Sequence, residues 1–327
     1  MAKSSDTVLS VVVPVFNEST GLEQFHKSLV VSLQKSVSNS YEIIYCDDGS
    51  TDETPGLVKR WNKQDPRVKL VAFSRNFGKE YALSAGIARA SGQAILSIDG
   101  DGQHPVGLID NFLKAWRAGS QVVVGVRTNN GHPSVLKKMN SGIFYTLFNK
   151  MTYQQLLPGS TDFRLIDRVV QKEFIKLHEN DRLTRGLIDW LGFKRSYIYF
   201  EPKQRVDGEP NYSYRKLVQL AKNSFISLTP KPLYIFGILG VAITLLAFFL
   251  GLSVIIEQLI LSDPLRWKFT GTAMLGIFIT FLVGIVLMSQ AVLSLYISSI
   301  QTQTKDRPLY IIDYKKSAGI KEMDEID

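Results

Sequence analysis

Residues 8–16 read VLSVVVPVF, an apolar run rich in β-branched side chains, and this composition predicts a buried strand. Apolar residues then recur at helical spacing from Leu22 to Leu33, which predicts a helix directly after the strand. Four more strand patterns alternate with helical patterns, at Tyr41–Cys46, Val68–Phe73, Ala94–Ile98 and Gln121–Val126. This alternation predicts an α/β fold with a mostly parallel sheet and helices on both of its faces.

The overall composition is that of a folded protein. The chain has 327 residues, with 38 Lys and Arg against 30 Asp and Glu, so its net charge is +8. A length of this kind allows about two domains, and 45% apolar with 21% charged residues excludes a wholly disordered chain. The single cysteine, Cys46, excludes a disulfide scaffold and a cysteine-rich zinc site.

Two long uncharged runs near the carboxyl terminus predict two transmembrane helices. Leu233–Ile256 and Phe269–Ile300 contain no charged residue, and each exceeds the roughly 20 residues that cross a bilayer as a helix. Before them, Arg215–Leu228 is amphipathic, as expected of a helix in the membrane interface. A helix packed against the soluble domain is the alternative for that segment.

Charge places the soluble part on the cytoplasmic side of the membrane. Residues 1–7 lack the apolar core of a signal peptide, and the connection between the two runs has no excess of Lys and Arg, whereas both outer flanks are basic. We therefore expect a multi-pass protein of the cytoplasmic membrane with both termini in the cytosol. The predicted domains are 1–210 (catalytic), 211–231 (juxtamembrane helix), 232–300 (two spans with a short outer loop) and 301–327 (a polar cytosolic tail, mobile beyond Ala318).

Polar motifs follow the predicted strands, where ligands bind in parallel sheets. The main one is Asp99-Gly100-Asp101-Gly102-Gln103: two carboxylates can face one cation, Gln103 adds a neutral oxygen, and the glycines permit a tight turn. Such hard oxygen ligands suit Mg²⁺ or Mn²⁺. A D-x-D pair by itself is common and can be a solvated turn, and no Glu follows at the spacing of a calcium loop.

A second acidic motif, Asp47-Asp48-Gly49-Ser50, ends another strand pattern, Tyr41–Cys46. Its aspartate can accept hydrogen bonds from a base or ribose, or can simply cap a turn. The chain has no G-x-G-x-x-G after its first strand, no phosphate-binding G-x-x-x-x-G-K-[ST] and no nucleophile-elbow spacing. These absences argue against a dinucleotide oxidoreductase, a P-loop ATPase and a serine hydrolase.

Taken together, the motifs carry a family resemblance. They are Val11–Glu18 (VVVPVFNE), Asp47–Asp52 (DDGSTD), Asn76–Lys79 (NFGK), Asp99–Pro105 (DGDGQHP), Gly125–Arg127 (GVR), Thr161–Arg164 (TDFR) and Gln204–Glu209 (QRVDGE). In this order they resemble family 2 glycosyltransferases with a GT-A fold. With the two predicted spans, residues 8–300 are similar to the polyisoprenyl-phosphate glycosyltransferases of bacteria (GtrB-like), which are related to dolichyl-phosphate mannose synthase.

The resemblance implies a role for each matching residue. The implied nucleotide-sugar contacts are Pro14, Phe16, Asn17, Glu18, Asp48, Lys79, Asp99 and Gly100. The implied metal ligands are Asp99, Asp101 and Gln103. The implied catalytic residues are Asp162 and Asp101, with Asp162 acting either as a base or by orienting the acceptor. The implied acceptor-phosphate ligands are Arg127, Arg164 and Arg205.

The expected activity is the inverting transfer of a sugar from a UDP-sugar to polyprenyl (undecaprenyl) phosphate, giving a lipid-linked donor for envelope glycosylation. Glucose, N-acetylglucosamine and an amino-arabinose derivative all stay open as the sugar. The lipid bilayer is an expected partner, a homo-oligomer is expected, and nucleic acid is not. The alternatives are a processive polysaccharide synthase, whose Q-x-x-R-W segment this chain lacks, and a non-catalytic nucleotide-sugar-binding membrane protein.

Overall fold

The structure is a computed structural model that describes residues 7–128, 157, 159–179, 182–202, 245, 249, 271–304 and 307–321. Its strands are β1 Leu9–Val15, β2 Tyr41–Asp47, β3 Val68–Ala72, β4 Ala94–Ser97, β5 Val122–Arg127, β6 Ser160–Asp167 and β7 Arg195–Phe200. Its helices are α1 Ser19–Val37, α2 Thr54–Gln64, α3 Lys79–Arg89, α4 Ile109–Arg117, α5 Arg168–Ile175, α6 Thr184–Trp190 and α7 Gly271–Thr304, with a 3₁₀ turn at Val106–Leu108.

The seven strands form one sheet in the order β3-β2-β1-β4-β6-β5-β7. All neighbouring strands are parallel except β6, which runs antiparallel to both β4 and β5. The predicted α/β fold with a mostly parallel sheet is therefore confirmed. The carboxyl ends of β1, β2 and β4 lie together at one edge, where the polar motifs begin.

The central strands are apolar throughout because helices cover both faces of the sheet. In β1, Val11 and Val13 pack into one core cluster with Leu22 of α1, whereas Val12 packs into the other cluster with Ala82 of α3. Successive side chains of a strand point to opposite faces, so an unbroken run of valines serves both layers. This explains why the segment 8–16 does not alternate between apolar and polar residues.

Strand β6 is not among the strands that the sequence pattern predicts. Residues 160–167 form a strand between β4 and β5. Its polar residues hid the pattern: Phe163 and Leu165 face the core, while Asp162 and Arg164 alternate with them on the opposite face. The strand carries Asp162 to the edge of the sheet where the other motifs lie.

The end of the chain also packs in a way that its composition does not reveal. Residues 307–321 lie along the outer strand β3, where Ala318 forms an antiparallel bridge with Leu70 and Ile312 one with Phe73. The Tyr310 ring stacks on Phe73 with centroids 5.0 Å apart. This segment covers the edge of β3, which would otherwise expose unpaired backbone groups.

Contacts within the chain define two units, Met1–Ser213 with Arg307–Asp327, and Tyr214–Asp306. Of the two uncharged runs, 233–256 lies outside the described residues except for positions 245 and 249, and the other overlaps α7. Within the described residues, no helix meets the combined length and apolarity of a membrane span. The segments 211–231 and 129–156 also lie outside the described residues.

Candidate active site

The loop after β1 is tied to the loop after β2. Asn17 adopts a left-handed backbone with φ of 53°. Its backbone N–H donates to Ser50 Oγ at 2.9 Å, and its side-chain Oδ1 accepts the Thr51 N–H at 2.9 Å. The neighbouring Phe16 ring is 44% exposed although it is large and apolar. The structure thus brings two of the predicted donor-binding motifs together and leaves an aromatic face open to a ligand.

Asp48 organises the loop that precedes α3. Its buried carboxylate accepts the N–H groups of Phe77 at 2.7 Å and of Gly78 at 2.9 Å. Burial raises the pKa of Asp48, and the two backbone donors oppose that rise. A Cβ on Gly49 would lie 2.5 Å from the Arg75 carbonyl carbon, so only glycine allows this close approach. The Asp48–Gly49 pair therefore fixes the position of the next residue after the loop, Lys79.

Lys79 joins two carboxylates that are distant in sequence. Its Nζ lies 2.6 Å from Asp99 Oδ1 and 2.8 Å from Asp162 Oδ2. Burial favours the neutral form of Asp162, yet the Lys79 ammonium outweighs it and holds the pKa of that carboxyl below its usual range. The same two carboxylates raise the pKa of Lys79 against the effect of burial. Lys79 and Asp162 are therefore both charged at neutral pH.

The register of the sheet explains why Asp162 reaches Asp99. Strand β6 pairs with β4 so that Arg164 lies opposite Ser97, the last residue of β4. Asp162 is two residues further toward the edge, level with the loop that follows β4, and Ser97 Oγ donates to its carbonyl oxygen at 2.5 Å. The predicted catalytic aspartate and the predicted metal loop thus meet at one point.

The acidic loop itself is held by close contacts. Asp101 Oδ1 accepts the Gln103 N–H at 3.0 Å, and Gly102 between them has φ of 73°. A Cβ on Gly100 would lie 2.6 Å from Glu18 Oε2, so the loops after β1 and β4 touch at this glycine. The structure therefore brings Glu18, Gly100, Asp101 and Gln103 together, as predicted from the ends of the strands.

A buried histidine supports the same loop from behind. His104 Nδ1 accepts the Asp99 N–H at 3.4 Å, and its ring stacks on Phe163 with centroids 5.3 Å apart. Burial lowers the pKa of His104, so the ring is neutral and its nitrogen can accept that hydrogen bond. This contact allows His104 to position Asp99 from behind the loop.

The oxygen donors on this loop fit a hard divalent cation. Asp99 and Asp101 supply carboxylates, and Gln103 supplies an amide oxygen that accepts from Arg127 Nη2 at 3.0 Å. Among the described residues, no group of three or more His, Cys, Asp or Glu side chains is arranged to hold a metal ion. Two carboxylates and an amide leave coordination positions for water and substrate phosphate, as is usual for Mg²⁺.

Arg164 is placed differently from the sequence-based prediction. It was expected to bind an acceptor phosphate, but it is 2% exposed, and its Nη1 donates to Asp189 Oδ1 at 2.8 Å. Its Nε donates to the Thr161 carbonyl at 3.1 Å. Because Arg164 lies opposite Ser97, inside the sheet, its guanidinium is committed to a buried ion pair. The prediction for Arg164 is therefore corrected to a structural role, and Arg205 lies outside the described residues.

Arg164→Ala is expected to destabilise the unit that contains the sheet by about 3 kcal/mol, because Asp189 would keep a buried charge without its main partner. Arg195, 3.3 Å from Asp189 Oδ1, keeps the loss at the lower end of the usual range. Thermal unfolding of the purified full chain would measure the change. The double variant Arg164→Met with Asp189→Leu should recover most of the stability, whereas wild-type stability in Arg164→Ala would contradict the assignment.

The structure also reveals groups that the motifs did not single out. Glu80 is next to Lys79, and its Oε2 accepts the Thr184 N–H at 2.8 Å. Burial, and next the charge of Asp162, raise the pKa of Glu80. Arg185 follows Thr184. Its positive charge helps to lower the pKa of Asp162 and opposes the rise in the pKa of Glu80. No sequence signal marks α6 as part of the site, because only the fold brings it to α3.

The sequence profile of Glycosyl transferase family 2 matches residues 10–174 of this chain, about half of its length. The chain belongs to this family. Relatives agree over nearly the whole length: an uncharacterized glycosyltransferase of Bacillus subtilis, YkcC, is 34% identical over 95% of this chain and 94% of its own. The SfII prophage-derived bactoprenol glucosyl transferase of Shigella flexneri is 34% identical over 94% of this chain and 98% of its own.

Solved structures similar to this glycosyltransferase include two mannose-related enzymes. The mannosyltransferase PcManGT of Pyrobaculum calidifontis, in complex with GDP-Man and Mn²⁺, has a TM-score of 0.45 and 17% identity and covers 88% of this chain and 87% of its own. Mannosyl-3-phosphoglycerate synthase of Rubrobacter xylanophilus has a TM-score of 0.47 and 15% identity, covering 66% of this chain and 71% of its own. The family match supports a GT-A fold for the α/β unit.

Proposed function

We propose that this glycosyltransferase moves a sugar, glucose or N-acetylglucosamine, from a UDP-sugar to polyprenyl phosphate, with inversion at the anomeric carbon. The observation that carries the proposal is the meeting of Lys79, Asp99 and Asp162 beside the Asp101–Gln103 loop. Alternating fixed charges of this kind suit a diphosphate leaving group and an anionic acceptor. The bactoprenol glucosyl transferases of Shigella phage SfV and of Shigella flexneri, similar over nearly the full length, support the choice of acceptor.

The donor would lie across the loops that follow β1, β2 and β4. Phe16 offers an exposed ring for the base, and Asn17, Glu18 and Asp48 line the same edge. Pro14, inside β1, supports the backbone below them. Asp99, Asp101 and Gln103 would hold a divalent cation against the diphosphate, and a bound cation of this kind stabilises the charge that develops on the leaving group. Lys79 contributes a second positive charge at the same place.

The acceptor needs little help from a base. A phosphate monoester has a second pKa of about 6, so it is largely ionised at neutral pH. Its oxygen forms a bond to the anomeric carbon while the bond from that carbon to the diphosphate oxygen breaks, and the electron pair leaves on the nucleoside diphosphate. Asp162, held ionised by Lys79, would orient the sugar and acceptor rather than take a proton. Arg127, and Arg205 by its motif, would attract the phosphate.

The membrane location is proposed from the sequence. The uncharged runs 233–256 and 269–300 would anchor the enzyme, and the basic flanks would keep the catalytic unit at the cytoplasmic face. A lipid acceptor stays in the bilayer and presents only its phosphate. An anchored enzyme therefore meets this substrate without removing it from the membrane.

The proposal is tested by incubating the purified full chain, Mg²⁺ and undecaprenyl phosphate with radiolabelled UDP-glucose, UDP-N-acetylglucosamine, UDP-galactose or GDP-mannose. The expected result is one lipid that carries a single sugar, formed from one of the UDP-sugars. A long polymer would indicate a processive synthase. Binding of UDP without any product would indicate a nucleotide-sugar-binding protein and would contradict the proposal.

The pH profile distinguishes the two roles considered for Asp162. Because its pKa is held below the usual range, it stays ionised from pH 5 to 9, and the rate should fall only as the acceptor protonates below about pH 6. Asp162→Asn is expected to lower the plateau rate and leave this fall at the same pH. If the fall disappeared or moved in Asp162→Asn, the carboxylate would be acting as a base.

A further inference from the structure

Helix α6 brings an arginine to the site that no motif accounts for. Arg185 is its second residue, and hydrogen bonds on both sides fix its backbone. The Thr184 N–H donates to Glu80 Oε2 at 2.8 Å, and Arg164 Nη1 donates to the Arg185 carbonyl at 3.3 Å. Glu80 directly follows Lys79, and Arg164 lies two residues beyond Asp162. Arg185 is thus attached to both elements that form the Lys79–Asp162 ion pair.

The Arg185 side chain has capacity to bind a ligand. It is half-buried, and its Nε is buried without a hydrogen-bond partner among the described residues. A buried donor without an acceptor is unfavourable, so an arriving acceptor gains from it. The guanidinium charge also helps to lower the pKa of Asp162 and opposes the rise in the pKa of Glu80, which indicates that it lies near these carboxylates. Arginine in such a place suits the oxygens of a phosphate group.

The arrangement of charges favours the acceptor phosphate over the donor diphosphate. Lys79 contacts Asp162 and also Asp99, which belongs to the proposed metal-binding loop 99–103. Its charge therefore lies next to that loop. Arg185 acts through its charge on Asp162 and on Glu80. The negative charge of Asp162 would repel an approaching phosphate unless a cation lay between them. Arg164 cannot supply that cation, because it forms an ion pair with Asp189.

We propose that Arg185 binds the phosphate of the acceptor beside Asp162, in the place that the TDFR motif suggested for Arg164. This inference rests on the proposed function. It assigns the acceptor phosphate to a residue of α6, a helix that carries no recognised motif. The binding is electrostatic and bidentate, so lysine at this position can replace the charge but not the paired hydrogen bonds.

The test uses the purified full chain in detergent, with undecaprenyl phosphate and the UDP-sugar that the wild type transfers. Arg185→Ala is expected to raise the acceptor KM about tenfold or more, Arg185→Lys to raise it less, and the donor KM to stay within about twofold. Calorimetry with UDP and Mn²⁺ should show unchanged UDP binding in both variants. Arg117→Ala removes the same charge from the exposed end of α4 and should leave all constants unchanged.

Each outcome bears on a definite statement. If wild-type enzyme makes no glycosyl lipid, the proposed function fails together with this inference. If the wild type is active and Arg185→Ala keeps its acceptor KM, only the role of Arg185 is overturned. A parallel loss of UDP binding and thermal stability in Arg185→Ala would make the residue structural and would equally overturn the inference.

Discussion

Asp101→Ala should abolish sugar transfer, with a loss on the order of 10³-fold or more. Asp101 shares the loop after β4 with Asp99 and Gln103, and these oxygens are proposed to hold the cation that neutralises the leaving diphosphate. Loss of several kcal/mol of charge stabilisation corresponds to this fall in rate. The variant should also lose the dependence of its residual rate on Mg²⁺ or Mn²⁺. Initial rates measured over a range of cation concentrations would show both effects.

The control for this change is a surface aspartate. Asp110 on α4 pairs only with its neighbour Lys114 in the described contacts, and its side chain is 44% exposed, so Asp110→Ala should leave the rate unchanged. Thermal unfolding should be nearly the same for both variants. Full activity in Asp101→Ala, or wild-type activity undiminished by EDTA, would contradict the metal assignment.

Lys79→Met is expected to lower kcat/KM by roughly 10²- to 10³-fold, because one ammonium group serves two carboxylates and the diphosphate at once. Without it, burial acts on Asp162 unopposed by its closest cation, so the pKa of that carboxyl rises. The Lys79 side chain is 37% exposed. The free energy of unfolding should therefore fall by only about 1 kcal/mol, less than for a fully buried ion pair. Rate measurements and thermal unfolding of the same preparation would separate the two effects.

Lys114→Met provides the matched control, since Lys114 forms an exposed ion pair with Asp110 on the surface of α4. It should change neither the rate nor the pH profile. If Lys79→Met kept wild-type kcat/KM, the ion pairs with Asp99 and Asp162 would be structural only. A loss of stability as large as that expected for a fully buried pair would also contradict the description of Lys79 as a partly exposed group.

Much of the site could be predicted because it lies at strand ends. Parallel strands bring their carboxyl ends to one edge, so Asn17, Asp48 and Asp101 could be placed together from the alternation of strands and helices. Contacts across long stretches of chain could not be predicted. Lys79 and Asp162 are 83 residues apart, and only the antiparallel register of β6 makes them neighbours.

The same register explains the error for Arg164. In the sequence, Asp162 and Arg164 belong to one motif and look equally able to reach a ligand. Two residues along a strand span about 6.6 Å, however, which is enough to place Asp162 at the open edge of the sheet and Arg164 in its interior. Arg185 could not be predicted for a different reason, since α6 carries no motif. The packing of residues 307–321 on β3 was likewise hidden, because a polar tail gives no periodic pattern.

The most direct test of the account is a crystal of this enzyme grown with UDP and Mn²⁺, with diffraction measured near the manganese absorption edge. We expect one strong anomalous peak within about 2.5 Å of carboxylate oxygens of Asp99 or Asp101 and of the diphosphate, with Lys79 beside it. A peak far from both aspartates, or UDP bound at this edge of the sheet with no manganese, would contradict it.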